Sequence, residues 1–515
     1  MSVKDRPNSI QLPRRQFLRN AAATTAALTI LPSGVYGKSR RISANDRVNV
    51  ATVGCGGMGR ANMMALSSMN LVAMCDVDWG YTDTRLADID KQIETAGRRL
   101  QDATDAAQKD RATRQIKSWN DLKAQIPKTK RHTDWRVMLE KQKDIDAVVI
   151  ATPDHTHAVI ALAAMDLGKH VYVQKPLAWS VEECRRLAAK AASTKLQTQM
   201  GNQGHSSDDA RRVNEYIQQG AIGAVTEVHV WTNRPLAYWP QGIPRPAPLP
   251  ANAKDLPWNM NGVMTRAAGS FGAYPPPDKI AWDLFLGPSR WVDYHPIYHP
   301  FNWRGWTDWG VGAIGDMGAH LMDSAFWALD LDYPITIETT STPFNHDTYP
   351  IATTTYYEFA AKGSRPAVKL TWYDGGLLPP KPTELGLSGS GEGELDKGGG
   401  TLFIGTKGKL LHDTYGFNPR LLPKSLHDSV GTPAQTYERI ETSHEMNWID
   451  AIRGTQRTTS PFEYSAKLTE IMLLGVVALN AGKKIGYDGA NMRVTNVADS
   501  DALLKRRNRE GWSLS

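Results

Sequence analysis

From Arg47 onward the apolar and polar positions follow two periods in turn. Val48–Val53 is a short β-branched run, a glycine cluster follows, and a helical stretch then reaches Ser67. Leu71–Cys75 is a second apolar run that ends at Asp76. Short apolar runs alternating with helical stretches predict a parallel, doubly wound sheet. The pattern resumes with strands at Asp146–Thr152, His170–Gln174 and Gln197–Met200, with helices at His157–Leu167 and Val181–Lys195 between them. Residues 82 to about 128 interrupt it; rich in Lys, Arg, Asp, Gln and Ala, they predict one or two solvent-facing helices inserted in the sheet topology.

After Gly201 the texture changes. A helix at Ser207–Gln219 leads into an alternating strand, Thr226–Asn233, and a Pro-rich excursion from Pro235 to Pro257. Ile335–Thr342, Thr353–Phe359 and Ala367–Tyr373 alternate with period two and predict antiparallel strands with one solvated face. Gly386–Gly400 reads as a Gly-rich loop, and helices at Ser443–Arg453 and Phe462–Asn480 close the pattern. The chain therefore divides into an α/β domain over 46–200, a second α/β domain over 201–485 and a tail, 486–515.

The N-terminus changes the picture. Arg14 and Arg15 are followed by Phe17 and Leu18, then by the apolar stretch Ala21–Leu31 and the small-residue exit Val35-Tyr36-Gly37. This is the layout of a secretory signal over residues 1–37, and the arginine pair makes it twin-arginine-like. The expectation is a protein exported already folded to the periplasm. No cysteine near the exit offers a lipid attachment, and no run approaches the roughly 20 apolar residues of a membrane span.

The signal also accounts for most of the charge. Of 60 basic and 53 acidic residues, residues 1–37 hold five and one, so the net +7 falls to about +3 without them. No nucleic-acid partner is expected, since that needs a clustered basic face. Three cysteines, Cys55, Cys75 and Cys184, are too few for a disulfide framework.

Gly54-Cys55-Gly56-Gly57-Met58-Gly59 forms G-x-G-x-x-G between a predicted strand and a helix start. Gly54 allows a tight turn, Gly56 lets the backbone approach a pyrophosphate, and Gly59 packs helix against strand; Gly57 and Met58 lie between them. The helix N-terminus offers free N–H groups to phosphates. Asp76, seventeen residues beyond Gly59, stands where an acid accepts hydrogen bonds from the adenosine ribose and repels a 2′-phosphate. NAD is favoured over NADP.

Four blocks, together with their order, resemble the glucose–fructose oxidoreductase / inositol dehydrogenase family, Gfo/Idh/MocA. They are the glycine turn, Ala151-Thr152-Pro153-Asp154-His155-Thr156-His157, Gln174-Lys175-Pro176 and Gly315-Asp316-Met317-Gly318-Ala319-His320. Gly405-Thr406-Lys407-Gly408 looks like a late family turn. The resemblance implies an NAD-binding Rossmann domain over 46–200, followed by an α/β domain whose open, mainly antiparallel sheet often makes a dimer or tetramer interface. It implies that Lys175 is the active-site lysine, that Asp316 and His320 are the acid–histidine pair, and that Thr152, Pro153 and His157 lie along the cofactor.

Two departures stand out. Gln174 replaces the glutamate that usually opens the tripeptide. The block Met200-Gly201-Asn202-Gln203-Gly204-His205 lacks the arginine that many relatives place there, leaving Asn202 and His205 as its polar side chains toward a substrate.

These residues suit hydride chemistry. Lys175 precedes a proline at the carboxyl edge of the sheet, where ligands bind. Asp316 and His320 are spaced i, i+4 on one helix face, and histidine is the usual base for a hydroxyl proton near neutral pH. Just upstream, Trp303, Arg304 and Trp306 offer ring faces and a charged group to a sugar. Pro296 and Pro300 break the spacing of His295 and His299, so no metal is expected. The expected activity is oxidation of a sugar or glycoside hydroxyl by tightly held NAD. An NAD-dependent glycoside hydrolase using transient oxidation, and a non-catalytic sugar-binding protein, are the alternatives.

Overall fold

A computed structural model describes residues 47–270, 274–386 and 393–514. The twin-arginine segment, and part of the Gly386–Gly400 loop, lie outside the described residues.

The first sheet holds six strands: β1 (Asn49–Val53), β2 (Asn70–Cys75), β3 (Lys130–His132), β4 (Ala147–Ile150), β5 (His170–Val173) and β6 (Thr198–Met200). Their order is β3-β2-β1-β4-β5-β6, and every pairing is parallel. This is the doubly wound Rossmann order. The inner strands read mainly as apolar runs because both of their faces are covered, and Ala147–Ile150 is buried throughout; the edge strand Lys130–His132 is polar and largely exposed.

The second sheet holds nine: β7 (Val225–Thr232), β8 (Thr336–Ser341), β9 (Thr353–Phe359), β10 (Val368–Tyr373), β11 (Gly399–Gly405), β12 (Lys409–Asp413), β13 (Arg420–Leu422), β14 (Ile485–Asp488) and β15 (Arg493–Val494). The order is β13-β12-β11-β7-β10-β9-β8-β14-β15. Only β7 and β10 pair in parallel; the other pairings are antiparallel. The sheet is thus mixed and mostly antiparallel.

Strand β11 hides in what reads as a glycine loop. An added Cβ at Gly400 would stand 2.6 Å from the Trp231 ring, so the bulk filling this part of the sheet comes from β7. Gly405–Gly408 is the turn joining β11 to β12, closed by Gly405 N donating to Gly408 O at 2.9 Å.

The helix Phe462–Ala481 joins the two layers, packing on the helix Val181–Ala192 and on β8. Gly475 permits this approach: its Cβ would lie 2.5 Å from the Tyr357 hydroxyl, and its carbonyl accepts from Thr339 Oγ1 at 2.8 Å.

The polar insertion forms three helices, Trp79–Ala87, Ile89–Asp102 and Ala106–Gln125, rather than one or two. It is not wholly solvated either. Trp119 and Leu122 are buried, and the Arg60 guanidinium lies 5.5 Å from the Trp119 ring centre. The C-terminal segment is likewise packed: Leu504 and Trp512 are buried, and Arg136 stands over the Trp512 ring at 4.5 Å.

Candidate active site

A cavity of about 640 Å³ runs along the carboxyl edge of the first sheet, from the glycine turn to Lys175, Arg304 and Asp316. Gln92, Gln115 and Trp119 of the insertion also line it.

The turn is shaped by backbone contacts that no side chain tolerates. Gly54 sits at φ +84° with its would-be Cβ 2.6 Å from Ala151 O, and a Cβ on Gly59 would fall 1.8 Å from Gly54 O. A Cβ on Gly56 would meet the Tyr81 ring at 2.7 Å, whereas at Gly57 it would meet nothing within 4 Å. The helix that follows, Met58–Ala65, has no side-chain cap and no acid in its first turn. Its free N–H groups and positive dipole end fit a pyrophosphate. The residues present therefore suit a dinucleotide.

Asp76 is engaged differently from the expectation. Its carboxylate accepts from Cys55 N at 2.6 Å, Thr82 Oγ1 at 2.8 Å and Asp78 N at 2.9 Å. Burial pushes this carboxyl up, against those three donors. Asp76 thus lines the cavity but first of all secures the turn, leaving only residual acceptor capacity for a ribose.

Thr152 and Pro153 line the cavity, but His157 stands behind them, fully buried. Its Nε2 lies 2.9 Å from Thr152 O and its Nδ1 2.8 Å from Pro176 O, tying two cavity-lining segments together. Burial pushes its pKa down to about 4. Gln174 turns toward the glycine-turn helix, where its Nε2 donates to Asn62 Oδ1 at 3.0 Å; Asn62 Nδ2 donates in turn to Glu445 Oε1 at 2.9 Å. The carboxylate missing at position 174 reappears two hydrogen bonds away, on a residue 383 positions from Asn62.

At the other end, Lys175 Nζ donates to Asp316 Oδ1 at 2.7 Å and to Asp316 O at 2.6 Å. The helix Gly312–Leu321 presents Asp316 to the cavity while Gly318 packs against Met472, whose side chain would be 3.0 Å from an added Cβ. Arg234 Nε stands 3.4 Å from Asp316 Oδ2 and Arg304 Nε 3.5 Å from Oδ1. Burial alone would raise the Asp316 carboxyl, but Lys175, Arg304 and Arg234 overcome it and hold the group well below the usual carboxylate range.

His320 is one turn further on and does not line the cavity. It is buried, 4.7 Å edge-on to Tyr415, and its Nδ1 has no partner among the described residues. Burial, then the Lys175 charge, keeps it neutral.

Asp154 is the residue that sequence reasoning missed. It lines the cavity, is buried, and accepts from Val311 N at 3.1 Å. Burial pushes its carboxyl up to about 7, against the pull of Arg304 and Lys175. An acid inside the block 151–157 was the available signal. Arg234 and Glu445 had none, being far away in sequence.

The residues expected at the substrate divide. Trp303 and Arg304 line the cavity, with the guanidinium 4.3 Å over the indole. Trp306 is fully buried among Tyr298 and Trp309, away from it. Asn202 and His205 lie outside the lining as well. His205 Nδ1 is 2.8 Å from Asp323 Oδ2, Asn202 Nδ2 donates to the same oxygen at 3.3 Å, and the His205 ring stacks on Trp327 at 4.2 Å. His299 Nε2 lies 2.8 Å from Asp78 Oδ2. Among the described residues no group of three or more His, Cys, Asp or Glu is placed to hold a metal, and no helix is long and apolar enough to cross a membrane.

The chain is similar to known proteins in sequence and in fold. Glycosyl hydrolase family 109 protein 1 of Shewanella sp. strain MR-4 is 28% identical over 212 residues, which is 41% of this chain and 43% of that protein. A family 109 protein of Shewanella sp. strain W3-18-1 is 27% identical over 228 residues with the same shares. The matched region thus spans under half the length of these curated relatives. Among solved structures, the WlbA dehydrogenase from Bordetella pertussis in complex with NADH and UDP-GlcNAcA aligns over 86% of this chain and 99% of its own, with a TM-score of 0.51 and 14% identity. GenD2 from gentamicin A biosynthesis in complex with NAD aligns over 88% and 100%, with a TM-score of 0.51 and 16% identity. Both share the fold. Residues 48–202 match the family described as oxidoreductase family, NAD-binding Rossmann fold, and residues 263–364 match its C-terminal alpha/beta domain. Two segments of the chain thus match the two domain models of the Gfo/Idh/MocA oxidoreductase family, the first of them described as NAD-binding.

Proposed function

We propose that this protein transfers a hydride between a hydroxyl-bearing carbon of a sugar or glycoside and an NAD held in the cavity. The observation that carries this reading is the Lys175–Asp316 pair, 2.7 Å apart, in the same cavity as the glycine turn. NAD, when bound, supplies the hydride acceptor.

The protein's own groups handle the hydroxyl. An ammonium has three donors. Two on Lys175 are spent on Asp316, which leaves one for a substrate oxygen whose negative charge grows in the transition state. Asp316 keeps its charge and so holds the Lys175 side chain aimed. Asp154, with a carboxyl near neutrality in its ionisation, is placed to take the hydroxyl proton. It replaces His320 in that role, because His320 is set back beneath Tyr415. His157, neutral and buried between Thr152 O and Pro176 O, is a positioning residue that donates its single N–H to one of those carbonyls and packs against the other.

Export of the folded protein by residues 1–37 belongs to the same reading, with NAD travelling in place. The test is to denature the purified protein and identify the nucleotide released, then to add glycosides to the intact protein and follow absorbance of reduced nicotinamide. NAD in near-equimolar amount and a sugar-dependent absorbance rise are expected. Protein that binds no nucleotide, before or after incubation with NAD, sinks the proposal.

The family 109 matches favour a second reading, redox-assisted glycoside hydrolysis without net oxidation. Release of the aglycone with no keto-sugar accumulating selects it over the first.

A further inference from the structure

The charge around Asp316 is lopsided. One fixed anion faces three fixed cations: Lys175, Arg234 and Arg304. The only hydrogen bonds its carboxylate takes from these groups come from Lys175, because the two guanidiniums stand back at 3.4 and 3.5 Å.

Structural arginines in the same chain behave otherwise. Arg185 closes on Glu470 with contacts of 2.5 and 2.7 Å, and Arg439 closes on Glu215 at 2.8 and 2.7 Å. Those pairs are bidentate and saturated. Arg304, which lines the cavity, donates through Nη1 to Phe301 O at 3.0 Å; Arg234, beside Asp316 but outside the lining, donates through Nη1 to Asn233 Oδ1 at 2.7 Å. The Nη2 group of each has no acceptor among the described residues.

Both guanidiniums are nevertheless held still. Arg304 lies 4.1 Å over the Phe301 ring and 4.3 Å over Trp303; Arg234 lies 3.3 Å over Tyr238. Each side chain is only 18% exposed. A guanidinium fixed on aromatic faces with a donor left over is already oriented to receive an anionic ligand.

We propose that the substrate carries a carboxylate, as an uronic-acid sugar does, and that Arg304 and Arg234 bind it while Lys175 faces the reacting hydroxyl. This rests on the reading of the cavity as a sugar site beside NAD. A carboxylate matches the planar fork of a guanidinium and meets a cluster whose cations outnumber its anions by one when Asp154 is ionised. A phosphate would bring a second charge toward Asp316 and Asp154.

The test is calorimetric titration of NAD-loaded protein with matched pairs: methyl glucoside against methyl glucuronide, and methyl galactoside against methyl galacturonide, with glucose 6-phosphate alongside. At least one uronide should bind tenfold or more tightly than its neutral partner. The gap should shrink with added salt and close in Arg304→Gln, with Arg234→Gln intermediate and circular-dichroism melts showing that both variants fold. Equal affinity within both pairs, or preference for the phosphate, overturns the carboxylate inference and leaves the sugar reading standing. Failure of every probe to bind overturns both.

Discussion

The two ends of the cavity are built by different means. At the dinucleotide end the shape comes from main chain: Gly54 and Gly59 touch backbone where any Cβ would collide, and an uncapped helix supplies N–H groups. At the substrate end it comes from the side chains of Asp154, Lys175, Arg304 and Asp316, held by charge and burial, with Arg234 standing 3.4 Å from Asp316 outside the lining. A backbone site tolerates almost no change in covalent shape. A side-chain site tolerates shape changes but answers to every change of charge.

Gly59→Ala should give the largest effect, because its methyl group would fall 1.8 Å from Gly54 O. A loss of about 3 kcal/mol or more in folding stability, together with loss of bound nucleotide, is expected in denaturant titration and in nucleotide extraction. A variant that melts normally and keeps NAD would break the contrast from the cofactor side.

Lys175→Met comes next for activity. It removes the group facing the reacting hydroxyl and leaves Asp316 without its hydrogen-bonded partner. Turnover of an accepted sugar should fall by roughly 10³-fold while the protein still retains NAD, which single-turnover kinetics would separate.

Asp154→Asn probes the missed acid. The amide oxygen can still accept from Val311 N, so the fold should survive, whereas kcat/KM should drop by roughly 10²-fold. The sign of the pH dependence follows from the role. A base works when deprotonated, so wild-type kcat/KM in the oxidation direction should rise as pH increases through about 7, and the variant should lose that limb. An unchanged pH profile would return the proton to another group.

Gly57→Ala is the smallest and sharpens the comparison most. A methyl group there meets nothing within 4 Å, so stability should move by less than about 0.5 kcal/mol. Its cost should appear only in NAD affinity, read by fluorescence titration, since the added carbon occupies space on the ligand side.

The parallel sheet was legible apart from β3, because most of its strands are contiguous apolar runs and the crossovers leave a helical period; the polar edge strand Lys130–His132 carries no such signal. The mixed second sheet was legible only where strands alternate, as in Thr353–Phe359. Gly399 and Gly400 disguised β11, since the volume they leave is filled by Trp231 from another strand. Trp306, Asn202 and His205 show the converse. Their residue types suit a sugar site, yet an indole or imidazole serves an aromatic core or an Asp323 network equally well, and only burial tells which.

The amino-acid sequence by itself marked the dinucleotide turn through its local glycine spacing between strand and helix, and the contact of Gly59 with Gly54 is local too, whereas Gly54 meets Ala151 and Gly56 meets Tyr81 only in the folded chain. It also singled out Lys175 and Asp316 as candidates. What it did not contain was their surroundings. That Asp76 spends its carboxylate on the turn, that Gln174 is linked through Asn62 to Glu445, and that Arg234 and Arg304 stand apart from Asp316 depend on segments up to hundreds of residues away. Electrostatic energies follow distance and burial, and both are set only once the tertiary structure brings those segments together.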